Sequence, residues 1–498
     1  MKHSQIKTTV VQSTAIALAC AALAGCAVGP NYVRPSAPLS PTFKEADGWS
    51  AAAPADTLDR GDWWTLFGDP ILTGLEAKVQ VNNQNIIAAE AGYREARTLV
   101  AEQRANLFPT VNLTGSGTKS GTGSKGGSGS GTVISGAGGT TIVAGGSGSS
   151  TTTQYRASIG ATWEPDIWGA VRRGIESASA SAQASAAQLA AARLSAQGEL
   201  ATDYFGLREA DAEIAIDQAT VTAYQRSLTI AQNRYNAGVT VRSDVYQAQT
   251  QLANAQADLA GLDQQRSNFE HAIAVLVGEA PGNFTLAAAP WVGTVPAIPA
   301  VVPSTLLQRR PDIASAERKV QAANAQIGVQ TAAFFPTVSL TGSYGFAASE
   351  LGRLISSSSS LWSFGGSIAE TLFDGGARIA RVRQAKATHD QTVAQYRETV
   401  LEALGNVENE LAATRVLARQ ADLRRQASLA ADAAERIVIN QYQSGHISYT
   451  DVVSAETAAY GARRAVAQSA AQRQTTAVAL IQSLGGGWTA GSDPRASR

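Results

Sequence analysis

Hydrophobic and polar positions along this chain follow two periods, and the switch between them occurs at matching places in each half. Helical spacing runs from about Ile71 to Leu107, through Leu72, Leu75, Val79, Ile86, Ile87 and Leu99, until Pro109 stops it. A period of two follows. Val111 and Leu113 alternate with Thr110, Asn112 and Thr114, and Tyr155, Ala157, Ile159, Ala161 and Trp163 alternate with Arg156, Ser158, Gly160, Thr162 and Glu164. The second half shows Val338, Leu340, Tyr344 and Phe346 against Thr337, Ser339, Thr341 and Ser343, then Trp362, Phe364 and Ile368 against Ser363, Gly365 and Ser367. These patterns predict four strands in two hairpins. The first pair is separated by a Gly/Ser/Thr-rich stretch, 115–153, that lacks the side chains to build a core and reads as a long flexible loop. The second is separated by a shorter loop around 349–360.

After each hairpin the helical period returns and persists. No proline occurs between Pro165 and Pro281, or between Pro336 and Pro494. Helices over Ala170–Tyr235 and Ala377–Tyr442 would each span roughly 100 Å at 1.5 Å per residue. Both end at a Tyr-x-x-Gly turn, Tyr235 to Gly238 and Tyr442 to Gly445, which is a plausible helix stop. A returning helix opens near Asp244 or Asp451, where a carboxylate can cap free amides, and runs to about Val277 or Leu484. Ala178, Ala182, Ala186, Leu189 and Leu207 supply small knobs suited to coiled-coil packing in a helical wall.

The recurrence is a duplication. Phe108-Pro-Thr-Val-Asn-Leu-Thr-Gly115 returns as Phe335-Pro-Thr-Val-Ser-Leu-Thr-Gly342, 227 positions on. Asn233-Arg-Tyr235-Asn-Ala-Gly238 returns as Asn440-Gln-Tyr442-Gln-Ser-Gly445, 207 positions on, so the second half is shorter in its hairpin loop. The resulting division is a signal over 1–25, an extended segment over 26–70 and a first repeat over 71–280 with its hairpin at 108–165. A Pro-rich linker over 281–303, a second repeat over 304–486 with its hairpin at 335–373, and a tail over 487–498 complete it.

Strands of about ten residues with one apolar face are long enough to cross a bilayer if tilted. Four cannot close a barrel, and an open edge is not tolerated in lipid. Two copies would give eight strands, too tight for a pore; three would give twelve. The fold class expected is therefore mainly α with membrane β: two tandem repeats whose four strands join those of other copies in one barrel, continued by long helices.

Charge and chemistry narrow the function. Lys and Arg balance Asp and Glu at 40 each, so no nucleic-acid partner is implied. Beyond the N-terminus there is no apolar run of transmembrane-helix length. The N-terminus itself has Lys2 and Lys7, then an apolar run from Thr14 to Ala24, and reads as an export signal. It ends in Leu23-Ala24-Gly25-Cys26, which resembles a bacterial lipobox, with Cys26 as the residue that takes diacylglycerol and an N-acyl chain. Ala27 rather than Asp at the next position favours the outer membrane, by resemblance to sorted lipoproteins. His3, His271, His389 and His446 lack metal-ligand spacing, and no Gly-x-Ser-x-Gly, P-loop or HExxH motif is present, so neither a metal site nor an enzyme is expected.

Taken together, Cys26-Ala-Val-Gly-Pro30-Asn-Tyr32-Val-Arg-Pro35, Trp63-Trp64, Phe67, Asp69-Pro70, Arg309-Arg310-Pro311-Asp312-Ile313, Phe334-Phe335-Pro336-Thr337 and the paired Tyr-x-x-Gly turns resemble outer-membrane efflux proteins of the TolC type. The likeness is greatest to their lipoprotein branch of OprM- and NodT-like factors, and it covers nearly the whole chain from Cys26 to about Gly486. It implies a homotrimer with a twelve-stranded outer-membrane barrel continued by an α-helical periplasmic barrel. It also implies a passive exit duct served by a periplasmic adaptor and an inner-membrane pump of the resistance-nodulation-division or major-facilitator type, with no cofactor. Type I protein secretion is the alternative within the same class, and a non-channel structural lipoprotein the alternative outside it. By the same resemblance Tyr442 and Asp244 hydrogen-bond to hold the tips closed, and Asp451 belongs to an acidic constriction. Tyr235, Gly238, Gly445 and His446 form the tip turns. Where the family often has Arg two residues after the second-half Gly this chain has Ile447, and its second acidic position is Ser454.

Overall fold

The structure, a computed structural model, describes residues 27–37, 42–45, 60–121, 151–289, 291–296 and 310–486. The signal segment, Cys26 and the tail over 487–498 lie outside the described residues.

A 3₁₀ segment, Arg60–Phe67, leads into α1 (Pro70–Asn82), which Asp69 caps by accepting from the amides of Ile71 at 2.8 Å and Leu72 at 3.2 Å. α2 (Gln84–Ala105) follows. The helix expected to run unbroken to Leu107 is thus two helices. At Asn83 the backbone turns extended, and its side-chain carbonyl accepts from the amides of Asn85 and Ile86 while its amide group donates to Leu276 O at 2.9 Å. The strands are β1 (Thr110–Gly121), β2 (Thr151–Trp163), β3 (Thr337–Ala348) and β4 (Ser360–Ala369). The remaining helices are α3 (Ala170–Asn236), α4 (Arg242–Leu276), α5 (Pro311–Ala332), α6 (Ala377–Gln443) and α7 (Tyr449–Ser483). α3 and α6 have 67 residues each, one more than the spacing predicted.

The stretch 115–153, expected to be loop throughout, is a correction. β1 continues through Gly121 and β2 begins at Thr151, paired in register down to Gly121↔Thr151. Ladder hydrogen bonds need only backbone, so Gly, Ser and Thr extend the hairpin without a core.

Contacts divide the chain into two compact units, each drawing on both repeats. One takes the described residues of Met1–Asn31, Leu99–Ser177 and Asn324–Lys386 and contains the sheet. Its strand order is β1-β2-β3-β4, antiparallel throughout. Register joins Leu113, Ile159, Tyr344 and Trp362 across all four strands, and beside them Val111, Ala161, Gly342 and Phe364. Alternate positions carry Asn112, Gly160, Ser343 and Ser363. One face is therefore apolar and the other polar. The apolar face is uncovered in the chain: Leu113 and Trp362 are each 79% exposed and Phe364 77%. Among the described residues β1 and β4 are left as unpaired edges. At the end of the sheet where α3 and α6 begin, Asp166 caps α3 through the amides of Val171 and Arg172, and Asp374 caps α6 through those of Gly376 and Arg378. The N-terminal strand of chain packs here as well. Val28 N donates to Trp168 O at 3.1 Å, and Arg173 binds Gly29 O and the Asn31 side chain. A Cβ on Gly29 would lie 2.5 Å from Gly328 Cα, so this crossing requires glycine.

The second unit holds the described residues of Tyr32–Thr98, Ala178–Ala323 and Ala387–Arg498. Its largest core gathers Trp63, Trp64, Phe67, Leu72, Tyr204, Phe205, Ile273 and Leu480. Each large side chain buried there is worth about 1.5–3 kcal/mol. A separate core packs Tyr224, Leu228, Val245, Ala248, Leu252, Tyr442, Tyr449 and Val452 behind the turns that join α3 to α4 and α6 to α7. Among the described residues no helix is long and apolar enough to cross a membrane.

Candidate functional site

The residues singled out in the sequence for the gate and the tip turns gather at those two turns, all within the second unit; Cys26 lies outside the described residues. Each long helix ends the same way. Gly238 N donates to Tyr235 O and Val239 N to Arg234 O, both at 2.9 Å; Gly445 N donates to Tyr442 O and His446 N to Gln441 O, again at 2.9 Å. The glycines sit at φ +74° and +81°. These are paired Schellman stops, where the positive φ excludes most side chains.

The two turns differ in their tyrosines. Tyr442 is 4% exposed, its ring 5.4 Å from that of Tyr449, whereas its counterpart Tyr235 is 41% exposed. Above the Tyr442 ring, at 4.7 Å, lies the guanidinium of Arg234 from the first turn. Its Nη1 donates to Tyr442 O at 2.9 Å and to Gln443 O at 3.3 Å. Burial pushes the Tyr442 hydroxyl pKa up, with Arg234 pulling it down and Asp244 pushing it up further.

The expected Tyr442–Asp244 hydrogen bond is not made within the chain. The Tyr442 hydroxyl is buried with no hydrogen-bond partner, and Asp244 accepts instead from the Thr240 hydroxyl. Neither acid is an N-cap. The helices open at Arg242 and Tyr449, so Asp244 and Asp451 stand at the third helical position, where a carboxylate favours the positive end of the helix dipole. Asp451 accepts from Ser448 N at 3.1 Å and Ser448 Oγ at 2.7 Å, closing the turn. His446 is exposed, and Ile447 packs against the core behind the turns.

Sequence reasoning missed the layer beneath. Glu456 on α7, 2% exposed, accepts from Ser227 Oγ at 2.6 Å while its other oxygen has no partner. Burial pushes its pKa up to about 7, the Ser227 hydrogen bond opposing and the Glu435 charge adding to the rise. Glu435 is itself held by Arg463. Further along, Glu213 takes Arg464 at 2.9 Å and Gln468 at 2.9 Å, stitching α3 to α7. An acid spaced among alanines on a long helix gives no sequence sign of such burial. Arg234 did leave a sign, because the repeat has Gln441 in its place.

The arrangement is one of packing and hydrogen bonding between two helical tips, without a clustered acid, base and nucleophile. Among the described residues no group of His, Cys, Asp and Glu is placed to hold a metal. The sequence profile of the outer membrane efflux protein family matches residues 76–279 and 302–486. The chain is 28% identical over 469 residues to the probable efflux pump outer membrane protein TtgC of Pseudomonas putida, covering 94% of this chain and 93% of that one. It is 27% identical over 474 residues to the cation efflux system protein CusC of Escherichia coli, covering 94% and 97%. The solved outer-membrane channel OprN superposes with a TM-score of 0.82 at 30% identity, over 93% of this chain and all of that one.

Proposed function

The chain belongs to the outer membrane efflux protein family, and from that premise we propose that it is the exit duct of a tripartite efflux system. It passively conducts small toxic compounds handed on by an inner-membrane pump and a periplasmic adaptor. The observation that carries this reading is the sheet: four strands, an uncovered apolar face and two unpaired edges, attached to helices too long and too polar for lipid. Backbone edges cannot remain open in a bilayer. Three copies pairing β4 of one with β1 of the next satisfy every edge and close twelve strands. Relatives named for toluene and cation efflux support small-molecule cargo over secreted protein. The pump is of the resistance-nodulation-division or major-facilitator type.

Cys26 carries the lipid anchor in this reading. Val28 N is tied to Trp168 O, between the end of β2 and the start of α3. Tyr442, Asp244 and Asp451 form the periplasmic gate. The buried, unpartnered Tyr442 hydroxyl and the nearby Asp244 carboxylate are the two halves of a bond that the closed trimer completes. The test is twofold. A strain lacking this chain accumulates efflux dyes and regains export with the native gene but not with a copy missing both hairpins. Tyr442→Phe and Asp244→Ala both raise vancomycin sensitivity, and sensitivity unchanged in both would remove these residues from the gate.

A further inference from the structure

The duplication places a cation at one tip only: Asn233-Arg234-Tyr235 in the first half faces Asn440-Gln441-Tyr442 in the second. We propose that Arg234 is the positioning residue that clamps the first tip to the second, so that the two tips of each chain move as a single gate leaf; this rests on the reading of the tips as a gate. The guanidinium lies 4.7 Å from the Tyr442 ring centre, and Nη1 reaches Tyr442 O at 2.9 Å and Gln443 O at 3.3 Å. Those carbonyls end α6, where the dipole is negative; Tyr442 O already accepts from Gly445 N and takes Arg234 as a second donor. One planar cation thus supplies hydrogen bonds, charge and a flat stacking face together. Its platform is rigid, because Tyr442 is buried against Tyr449 within the core that also holds Tyr224, Leu228, Val245 and Val452. Nothing reciprocates from the second tip. Gln441 is uncharged, and Ile447 is apolar and turned into that core. The ring and carbonyl of Tyr442 and the carbonyl of Gln443, not the Tyr442 hydroxyl, are what Arg234 holds.

That distinction gives the clamp a signature that a general loss of structure would not reproduce. Full-length trimers with Arg234→Ala, Arg234→Lys, Tyr442→Phe and Tyr442→Leu, and the double variants, are reconstituted in planar bilayers and their resting open probability measured, with trimer melting temperature alongside. Arg234→Ala is expected to raise open probability several-fold at unchanged trimer melting, and Arg234→Lys to restore part of the closure. The increment from Arg234→Ala is expected to persist in the Tyr442→Phe background, which keeps the ring, and to shrink in Tyr442→Leu, which loses the ring and keeps only the two carbonyls. Should Arg234→Ala assemble poorly, the Lys variant and its combination with Tyr442→Leu carry the same comparison. Open probability unchanged by Arg234→Ala, or an increment equal in the Phe and Leu backgrounds, would overturn the clamp while native conductance leaves the duct reading standing. A native chain that does not conduct overturns the duct reading and the clamp with it.

Discussion

Glu76 is fully buried on α1, and neither carboxyl oxygen has a hydrogen-bond partner. Removing an unpaired carboxylate from water is costly enough that the group stays protonated, and burial alone pushes its pKa up to about 9. The sign follows. The folded state holds this proton more tightly than the unfolded chain does, so the contribution of Glu76 to stability is full below the ordinary carboxyl range and is lost as pH climbs through 9. Glu76→Leu should raise the melting temperature of the assembled protein at alkaline pH and flatten its pH dependence. Asp69 is the opposite case, with every bond in use. It caps α1 and accepts the Tyr204 hydroxyl at 2.5 Å in the buried core. Asp69→Ala removes a cap worth about 1 kcal/mol and strands a buried hydroxyl at about 1–3 kcal/mol more. Chemical denaturation should show that combined loss, with Asp69→Asn recovering part of it.

At the scale of elements, the tip behaves as a packed unit whose charge sits underneath. Glu456 has its pKa raised to about 7, so its contribution is full below the ordinary carboxyl range and fades as pH rises through 7. A shift of that size is worth about 3 kcal/mol, since one pKa unit is about 1.4 kcal/mol. Amide exchange in the turns following Asn236 and Gln443 should therefore quicken between pH 5 and 8 in the native protein and become pH-insensitive, beyond the intrinsic rate, in Glu456→Gln. Gly445→Ala forces a side chain to φ +81° and should cost about 1–2 kcal/mol at that turn, seen in the same exchange experiment. These turns were legible in the sequence because Tyr-x-x-Gly after a proline-free run carries its own geometry. The break at Asn83 was not, because it is fixed by a hydrogen bond to Leu276, 193 residues away. Nor was the length of the first hairpin, since strand pairing through Gly121 and Thr151 leaves no hydrophobic trace. The proposed gate pair was half legible. The family resemblance put Tyr442 and Asp244 together, but Thr240 occupies the carboxylate and the hydroxyl waits unpaired.

For the whole molecule, the sequence pattern and the structure meet at the unfinished sheet. Alternating residues predicted one apolar face, and the register delivers it as rows such as Leu113–Ile159–Tyr344–Trp362. The duplication explains the four strands and two helical hairpins among the described residues, while the edges of β1 and β4, unpaired there, are what the proposed trimer completes. The account depends on three copies sharing one barrel around a continuous passage. Its most direct test is the single-channel conductance of the detergent-purified protein in planar bilayers, recorded before and after heat dissociation of the complex. The account predicts discrete conducting steps from a species of three times the protomer mass, abolished once heating releases the protomer. Insertion without conductance, or conductance carried by the isolated protomer, would contradict it.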